Sequence, residues 1–292
     1  MGVHININDI NLNVFAFEEV TVSSWWNYPN HNSPFARIFM VYDGVQEVRF
    51  NGKTYQHKPG HIYIVPPFTN VDYLCNDSCT QFYLILSAEL PGYGSIFQLD
   101  DIQFEFPITA DIQASLRTLL NQVDNVPLQN YNPVSLIYSQ DLQQAQIKMS
   151  PIDEWQITAI AQLLLTPFLQ SLNYEKNESI FFNVTKYIED NLHQQITLTD
   201  LAKQSNLVPS YFSDKFLEHF KLRPMAYLQN KRVEKAQLLL TTTHYNVDII
   251  ADMCGFKTSP HFCRVFKNVT ALTPKRYRES LLVKTENNNS TG

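Results

Sequence analysis

The sequence predicts an α+β chain of two domains, a β-rich N-terminal half of short strands and an all-α C-terminal half built on two helix-turn-helix units. Three observations predict it. A helical pattern occurs twice, about fifty residues apart, in the last third of the chain. A period-two apolar pattern broken by turn residues runs from about Phe35 to Ser87. The charge is also divided. Residues 180–284 hold 15 Lys/Arg against 9 Asp/Glu, and residues 1–179 hold 7 against 18. The whole-chain net charge of −6 would argue against a nucleic-acid partner. Its division instead places a basic module beside an acidic one, which suits local phosphate contact that raised salt readily removes.

Strands come first. Ala36-Arg-Ile-Phe-Met-Val-Tyr ends at Asp43-Gly44. Glu47-Val-Arg-Phe, Asn51-Gly52 and Lys53-Thr-Tyr-Gln form a hairpin with a type I′ signal. Lys58-Pro-Gly60 is a turn, His61-Ile-Tyr-Ile-Val65 is a strand stopped by Pro66-Pro67, and Gln81-Phe-Tyr-Leu-Ile-Leu86 is another strand. Many short strands at regular spacing predict a small barrel or sandwich. Ahead of them lies an aromatic-polar cluster, Trp25, Trp26, Tyr28, His31 and Arg37, which either lines the mouth of such a barrel or forms a surface segment.

Residues 111–175 turn helical. Apolar residues recur at 112, 116, 119, 120 and 123, and a second apolar-rich helix runs from Ile152 to Leu172, with Pro167 a kink or break within it. From periodicity alone these helices could cap the barrel. The polar run from Asn173 to Ser179 reads as a linker, and residues 285–292 as a disordered tail.

The repeat follows. One copy reads Leu201-Ala202, Ser205, Asn206, Leu207, then Phe212 and Phe216; the other reads Ile250-Ala251, Cys254, Gly255, Phe256, then Phe262 and Phe266. The offset is 49 up to the turn residue and 50 after it, so the second turn is one residue longer. Small Ala202 and Ala251 permit close helix approach. Asn206 and Gly255 tolerate a left-handed backbone, and the Phe pairs at i, i+4 bury the inner face of each second helix. As core residues they fit any helical bundle. A link to DNA rests on what is left exposed and on two such units being joined. A helix from Pro224 to Leu240, with apolar Leu228, Val233, Ala236 and Leu239/Leu240, joins them.

Four motifs in this stretch are specific together: Ala251-x-x-Cys-Gly-Phe256, His261-Phe-Cys-Arg-Val-Phe-Lys267, Thr273-Pro-x-x-Tyr-Arg278 and Tyr227-Leu-x-x-x-Arg-x-x-x-Ala-x-x-Leu-Leu240. Through them the run from about Ile180 to Ser280 resembles the DNA-binding domain of the AraC/XylS family of transcription regulators. The resemblance implies base contacts from Ser210, Tyr211, Ser213 and Asp214 in one unit and from Ser259, His261 and Arg264 in the other. Lys215, Lys257 and Lys267 would serve phosphates. Two departures stand out. The family's Gly before each Pro is Lys221 and Ala271 here, which costs about 1 kcal/mol each if the backbone is left-handed. Asp214 stands where an Arg is common, so it either weakens the first unit's grip or accepts from a cytosine amino group.

The pattern Gly44, Gly52, Pro59-Gly60, Pro66-Pro67 resembles the cupin-like sensor domain of the same family. By resemblance, the ligand-gripping positions fall on Tyr73, Gln81 and Tyr83, with Arg37 as the nearby cation. This set suits a sugar-like effector, with a carboxylated one left open by Arg37, although Tyr73 and Tyr83 would also serve as plain barrel packing. Val71 stands where many cupins place a metal-ligating histidine, and His57 and His61 flank a turn, so neither metal nor cofactor is expected. The expected organisation is a sensing and dimerisation domain at 1–172, a linker at 173–179 and a DNA-binding domain at 180–284. The expected protein is an effector-controlled activator, a homodimer on double-stranded DNA with RNA polymerase as a further partner. The rivals are a cupin-type enzyme with a helical appendage and a ligand-independent DNA-binding protein. The first residues lack the basic and apolar regions of a signal peptide and no run of 18 apolar residues occurs, so a cytoplasmic protein without membrane contact is expected. Cys75, Cys79, Cys254 and Cys263 read as free thiols, with a redox or metal role for the first pair as the alternative.

Overall fold

The computed structural model describes residues 7–90, 94–98, 103–123, 149–171 and 181–280. The expected linker at 173–179 and the tail at 285–292 lie outside them. Strands β1 (Asn11–Ser23), β2 (Asn27–Asn32), β3 (Ala36–Gly44), β4 (Gln46–Phe50), β5 (Lys53–His57), β6 (His61–Val65), β7 (Asn70–Leu74), β8 (Ser78–Leu90), β9 (Gly94–Ser95) and β10 (Glu105–Pro107) form two sheets. One has the order β1-β8-β3-β6-β10 with β9 paired to β8, and the other the order β2-β7-β4-β5. The observed pairs are antiparallel. The arrangement is a two-sheet version of the expected barrel rather than a closed one. At the β4–β5 hairpin, Asn51 and Gly52 both have positive φ (51° and 72°), as the type I′ turn requires.

Alternation decides the core. Phe39 on β3 sits directly opposite Tyr63 on β6 and Tyr83 on β8, so all three point to one face. With Val41, Val65, Ile85, Val48, Val71, Tyr73 and Trp26 they make one buried cluster between the sheets. The opposite face of the larger sheet is also buried: Ile38, Met40, Ile62, Ile64, Phe82 and Leu84 are at most 3 % exposed. Helices cover it. In α1 (Ala110–Leu120), Gln113 donates to Val41 O at 2.6 Å. In α2 (Pro151–Ser171), Phe168 packs edge-on to Phe106 of β10. Burial on both faces explains why β3 reads as a continuous apolar run where an alternating one would mark a half-exposed strand. The α2 helix continues through Pro167, so of the kink or break expected there the break does not occur. The structure also adds β1 and β2 ahead of the first strand read from sequence.

The helical part comprises α3 (Phe182–Asp190), α4 (Leu198–Gln204), α5 (Pro209–Phe220), α6 (Pro224–Thr242), α7 (Val247–Met253), α8 (Ser259–Thr270) and α9 (Pro274–Ser280). By contacts, the described residues of Leu12–Ser87 and Asp101–Leu172 form one compact unit. Those of Met1–Asn11, Ala88–Asp100 and Asn173–Tyr277 form the other, so the end of β8, with β9, groups with the helices. In that unit Phe181, Val184, Ile188, Leu201, Ala202, Phe212, Phe216 and Leu228 form one apolar cluster. Among the described residues no helix is long and apolar enough to cross a membrane.

Candidate nucleic-acid interface and sensor interior

The two helix-turn-helix units close in the same way. Thr197 caps α4 in a reciprocal capping box with Asp200, and Asn246 Oδ1 caps α7 by accepting from Ile249 N at 2.8 Å. After α4, Asn206 takes φ 55°, its N–H reaches Lys203 O at 3.1 Å, and Leu207 N reaches Ala202 O at 3.2 Å. After α7, Gly255 takes φ 76°, its N–H reaches Asp252 O at 2.8 Å, and Phe256 N reaches Ala251 O at 2.9 Å. Both are Schellman closures, with the left-handed residue where the repeat pattern put it. Phe212, Phe216, Phe262 and Phe266 are all fully buried.

The joining helix does more than span. Arg232 of α6 is 8 % exposed. Its Nε donates to Leu192 O at 3.0 Å, its Nη2 to Gln194 O, and its guanidinium lies 5.8 Å from the Phe256 ring. Gln195 Nε2 donates to Gly255 O at 3.0 Å. The chain just after α3 is thereby tied to the turn of the second unit, which fixes one unit against the other.

Lys221 and Ala271, the two residues that replace Gly, both adopt the left-handed backbone (φ 55° and 64°). Ala271→Gly is therefore expected to stabilise the protein by about 1 kcal/mol, seen as a rise in unfolding midpoint, because glycine carries no Cβ penalty there. An unchanged or lowered midpoint would count against strain at this position.

The exposed faces differ between units. On α5, Ser210, Tyr211 and Asp214 are exposed and Lys215 is half-buried, whereas Ser213 is buried and accepts from Arg223 Nη1 at 3.0 Å. The same Nη1 lies 3.3 Å from Asp214 Oδ1. Lys215 pairs with Glu218 at 2.8 Å, which pushes the lysine's pKa upward, and it lies 6.0 Å from the Tyr211 ring. On α8 and its approach, Arg264, Lys267 and Lys257 are exposed and His261 and Ser259 half-buried, with Ser259 Oγ donating to Asp248. The second recognition helix thus presents cations outward, while the first presents an acid partly neutralised by Arg223. Sequence reasoning missed Arg223, which lies on the far side of the left-handed turn at Lys221.

Inside the β-unit the four expected ligand positions converge. Arg37, Tyr73, Gln81 and Tyr83 are 4, 1, 0 and 4 % exposed and belong to the inner faces. The structure adds His31, Gln46, His57 and Trp26. Of the five-residue cluster read ahead of the first strand, Trp26, His31 and Arg37 are interior, Tyr28 packs on the core and Trp25 is exposed. A bulge between Tyr28 and His31, at Pro29 and left-handed Asn30 (φ 52°), shifts the strand's register. It brings residues three apart onto one face. Gln46 Nε2 donates to Gln81 Oε1 at 2.5 Å and to His57 Nδ1 at 3.2 Å. His57 stacks on Tyr63 at 4.0 Å, and burial drives its pKa down to about 3. His31 lies 5.9 Å from Tyr73. Burial, and secondly the charge of Arg37, hold His31 well below the ordinary histidine range. Both imidazoles are neutral near pH 7. Leaving a buried polar atom without a partner costs about 1–3 kcal/mol. Both His31 nitrogens, Gln81 Nε2, Gln46 Oε1 and Trp26 Nε1 lack one among the described residues. Such a concentration of buried polar atoms is unusual for a packing core.

Among the described residues, no three His, Cys, Asp or Glu side chains gather closely enough to hold a metal. The four cysteines are free thiols. Burial pushes Cys79 and Cys254 up to about 12, which keeps them protonated.

A β-module with a polar interior, followed by two matched helix-turn-helix units on one frame, defines the sensor-and-reader class of regulators. Residues 21–135 match the family model of the AraC-like ligand binding domain, and residues 201–280 match that of a helix-turn-helix domain. The chain belongs to the AraC family of helix-turn-helix transcription regulators. It is 30% identical over 102 residues to the uncharacterized HTH-type transcriptional regulator YpdC of Escherichia coli, a match covering 35% of this chain and 36% of that protein. An uncharacterized HTH-type transcriptional regulator of Staphylococcus aureus is 34% identical over 122 residues, covering 40% of this chain and 16% of that one. These matches therefore span about a third or less of the relatives' own length. An apo variant of ToxT from Vibrio cholerae shares the two-domain fold at a TM-score of 0.51 and 12% identity, over 94% of this chain and 98% of that one.

Proposed function

We propose that this protein is an effector-controlled transcription activator that binds duplex DNA through α5 and α8 and senses a small molecule in the chamber between its two sheets. The observation that carries the DNA reading is the pair of identically closed helix-turn-helix units locked by Arg232, with Arg264, Lys257 and Lys267 exposed on the second. Arg264 is the best-placed cation for a guanine or phosphate. Asp214, held by Arg223, offers an acceptor to a cytosine amino group. Ser213 positions Arg223 rather than reaching DNA itself. The active form is a cytoplasmic homodimer. Exposed Ile112 and Leu119 on α1, and Ile152, Trp155 and Leu163 on α2, are the apolar side chains that a second copy would cover. RNA polymerase is the further partner that activation requires.

Gel shifts of the full chain on genomic fragments test this. Binding is expected at low salt and should fall steeply as salt rises. Arg264→Ala should cost about 1–3 kcal/mol of binding free energy. Asp214→Ala should leave affinity unchanged or raised, since it frees Arg223, while loosening sequence choice. No binding to any fragment at low salt would sink the proposal. Loss on Asp214→Ala with none on Arg264→Ala would reverse the ranking of the two units.

A further inference from the structure

The internal repeat singles out one side chain. Aligned at the offset of 50, Asp214 and Arg223 of the first unit stand where the second has Arg264 and Thr273. The second unit carries its cation on the recognition helix α8 and a hydroxyl cap ahead of α9, with Thr273 Oγ1 accepting from Arg276 N at 3.2 Å. The first unit reverses this. Its recognition helix carries the acid, and an arginine occupies the N-cap of α6, where its side chain makes no capping hydrogen bond. An N-cap without a side-chain acceptor gives up helix stability, so the folding of α6 does not account for Arg223.

The surroundings of Arg223 point to another role. It lies two residues after left-handed Lys221 (φ 55°) and directly before Pro224, which confines its backbone to the extended region observed (φ −70°, ψ 149°). From that fixed point the guanidinium returns to α5, Nη1 donating to Ser213 Oγ at 3.0 Å and to Asp214 Oδ1 at 3.3 Å. Among the described residues, Arg223 Nε and Nη2 and Asp214 Oδ2 make no hydrogen bond, and both side chains are well exposed. The surface of α5 therefore holds an acceptor beside a two-pronged donor, the two joined by a hydrogen bond. A C·G pair has the matching pattern in the major groove. Cytosine presents its N4 amino donor, guanine presents O6 and N7 as acceptors, and N4 and O6 are themselves hydrogen-bonded to each other. An A·T pair can meet the acid through adenine N6, but it gives the fork only thymine O4, beside a methyl group.

We infer that Asp214 and Arg223 read one C·G pair together, Asp214 accepting from cytosine N4 and Arg223 donating through Nε and Nη2 to guanine O6 and N7. Arg223 is then a base-reading residue supplied from the turn after the recognition helix, and Ser213 is the positioning residue that holds its guanidinium in line. The inference rests on reading α5 as a DNA-contacting helix.

The test starts with the full chain selecting sites from a pool of random-sequence duplexes. Each pair of the site that wild type selects is then substituted and scored by gel shift. Arg223→Thr, which installs the second unit's cap, should lower the preference at one C·G pair about tenfold or more. It should leave the unfolding midpoint unchanged or raised. Arg223→Lys, charged but without the fork, should keep more of the affinity than of the preference. Asp214→Ala should weaken the preference at the same pair without loss of affinity, and both changes together should abolish it. A loss spread evenly over all positions in Arg223→Thr would make Arg223 a phosphate contact and overturn the inference. So would effects of the two variants at different pairs. A lowered midpoint for Arg223→Thr would make the arginine structural and overturn it too. Wild type that binds duplexes but selects no C·G pair sinks this inference alone, whereas wild type that binds no duplex sinks the DNA-binding reading and this inference with it.

Discussion

Gly255→Ala is expected to unlock the second helix-turn-helix unit and lower stability by about 2–4 kcal/mol. Two costs add. The residue sits at φ 76°, where an alanine costs about 1 kcal/mol more than glycine. A Cβ there would also stand 2.2 Å from Leu192 O and 2.9 Å from Arg232 Nη2. The first of these is a backbone atom that the rest of the helical unit holds in place, so the neighbours must shift. Overpacking of that kind costs about 1–3 kcal/mol. For a unit near a hundred residues the midpoint should drop by roughly 10 °C or more, and gel-shift affinity should fall with it. Asn206 supplies the control. It occupies the matching place in the first unit with its own Cβ accommodated, and Asn206→Gly should be neutral or slightly stabilising. An unaltered midpoint for Gly255→Ala would show that the turn is looser than its contacts indicate.

That contrast also explains how far the sequence could be read. The repeat was legible because a Schellman turn demands a specific residue class at one place and an apolar residue right after it. Both demands leave a mark on a single strip of sequence. Lys221 and Ala271 were legible as strained by the same logic. The pairing of Arg223 with Asp214 and Ser213 was not. It exists only because the left-handed Lys221 turns the chain back, and nothing in nine residues of spacing announces that. In the β-module, strands β3 to β6 and β8 carry strong turn or apolar signals and were read directly, whereas β7 (Asn70–Leu74) was not. The strands before them were obscured, since β1 mixes Asn11, Asn13, Glu18 and Glu19 with its apolar residues and β2 is mostly polar. His31 could be seen as part of an aromatic-polar cluster. Its place inside depended on a register shift, which a period-two pattern cannot express. Arg37, Tyr73, Gln81 and Tyr83 came by resemblance, and the structure buries all four on strands of the two facing sheets. The placement of Gln46 beside Gln81 depends on a side-chain contact between strands of different sheets, 35 residues apart in sequence.

Arg232→Ala should separate the stability of the helical unit from its geometry. The guanidinium donates to Leu192 O and Gln194 O and lies against Phe256, so truncation leaves two carbonyls to be satisfied by water. Hydrogen bonds to a charged group contribute about 1.5–3 kcal/mol each, and the ring contact adds about 0.5–1 kcal/mol. Some of the loss is recovered because Gln194 O is only partly buried. The expected cost is about 3 kcal/mol in denaturant unfolding. Each helix-turn-helix unit retains its own caps, turn and phenylalanine pair, so both should persist with their mutual placement loosened. DNA affinity should therefore fall further than the fraction of folded protein does. The measurement is a gel shift at a temperature where wild type and variant are equally folded. Arg232→Lys keeps the charge but not the fork, reaches one carbonyl instead of two, and should restore affinity only in part. Equal affinity for wild type and Arg232→Ala under those conditions would mean that α6 alone, without this clamp, sets the spacing of the two recognition helices.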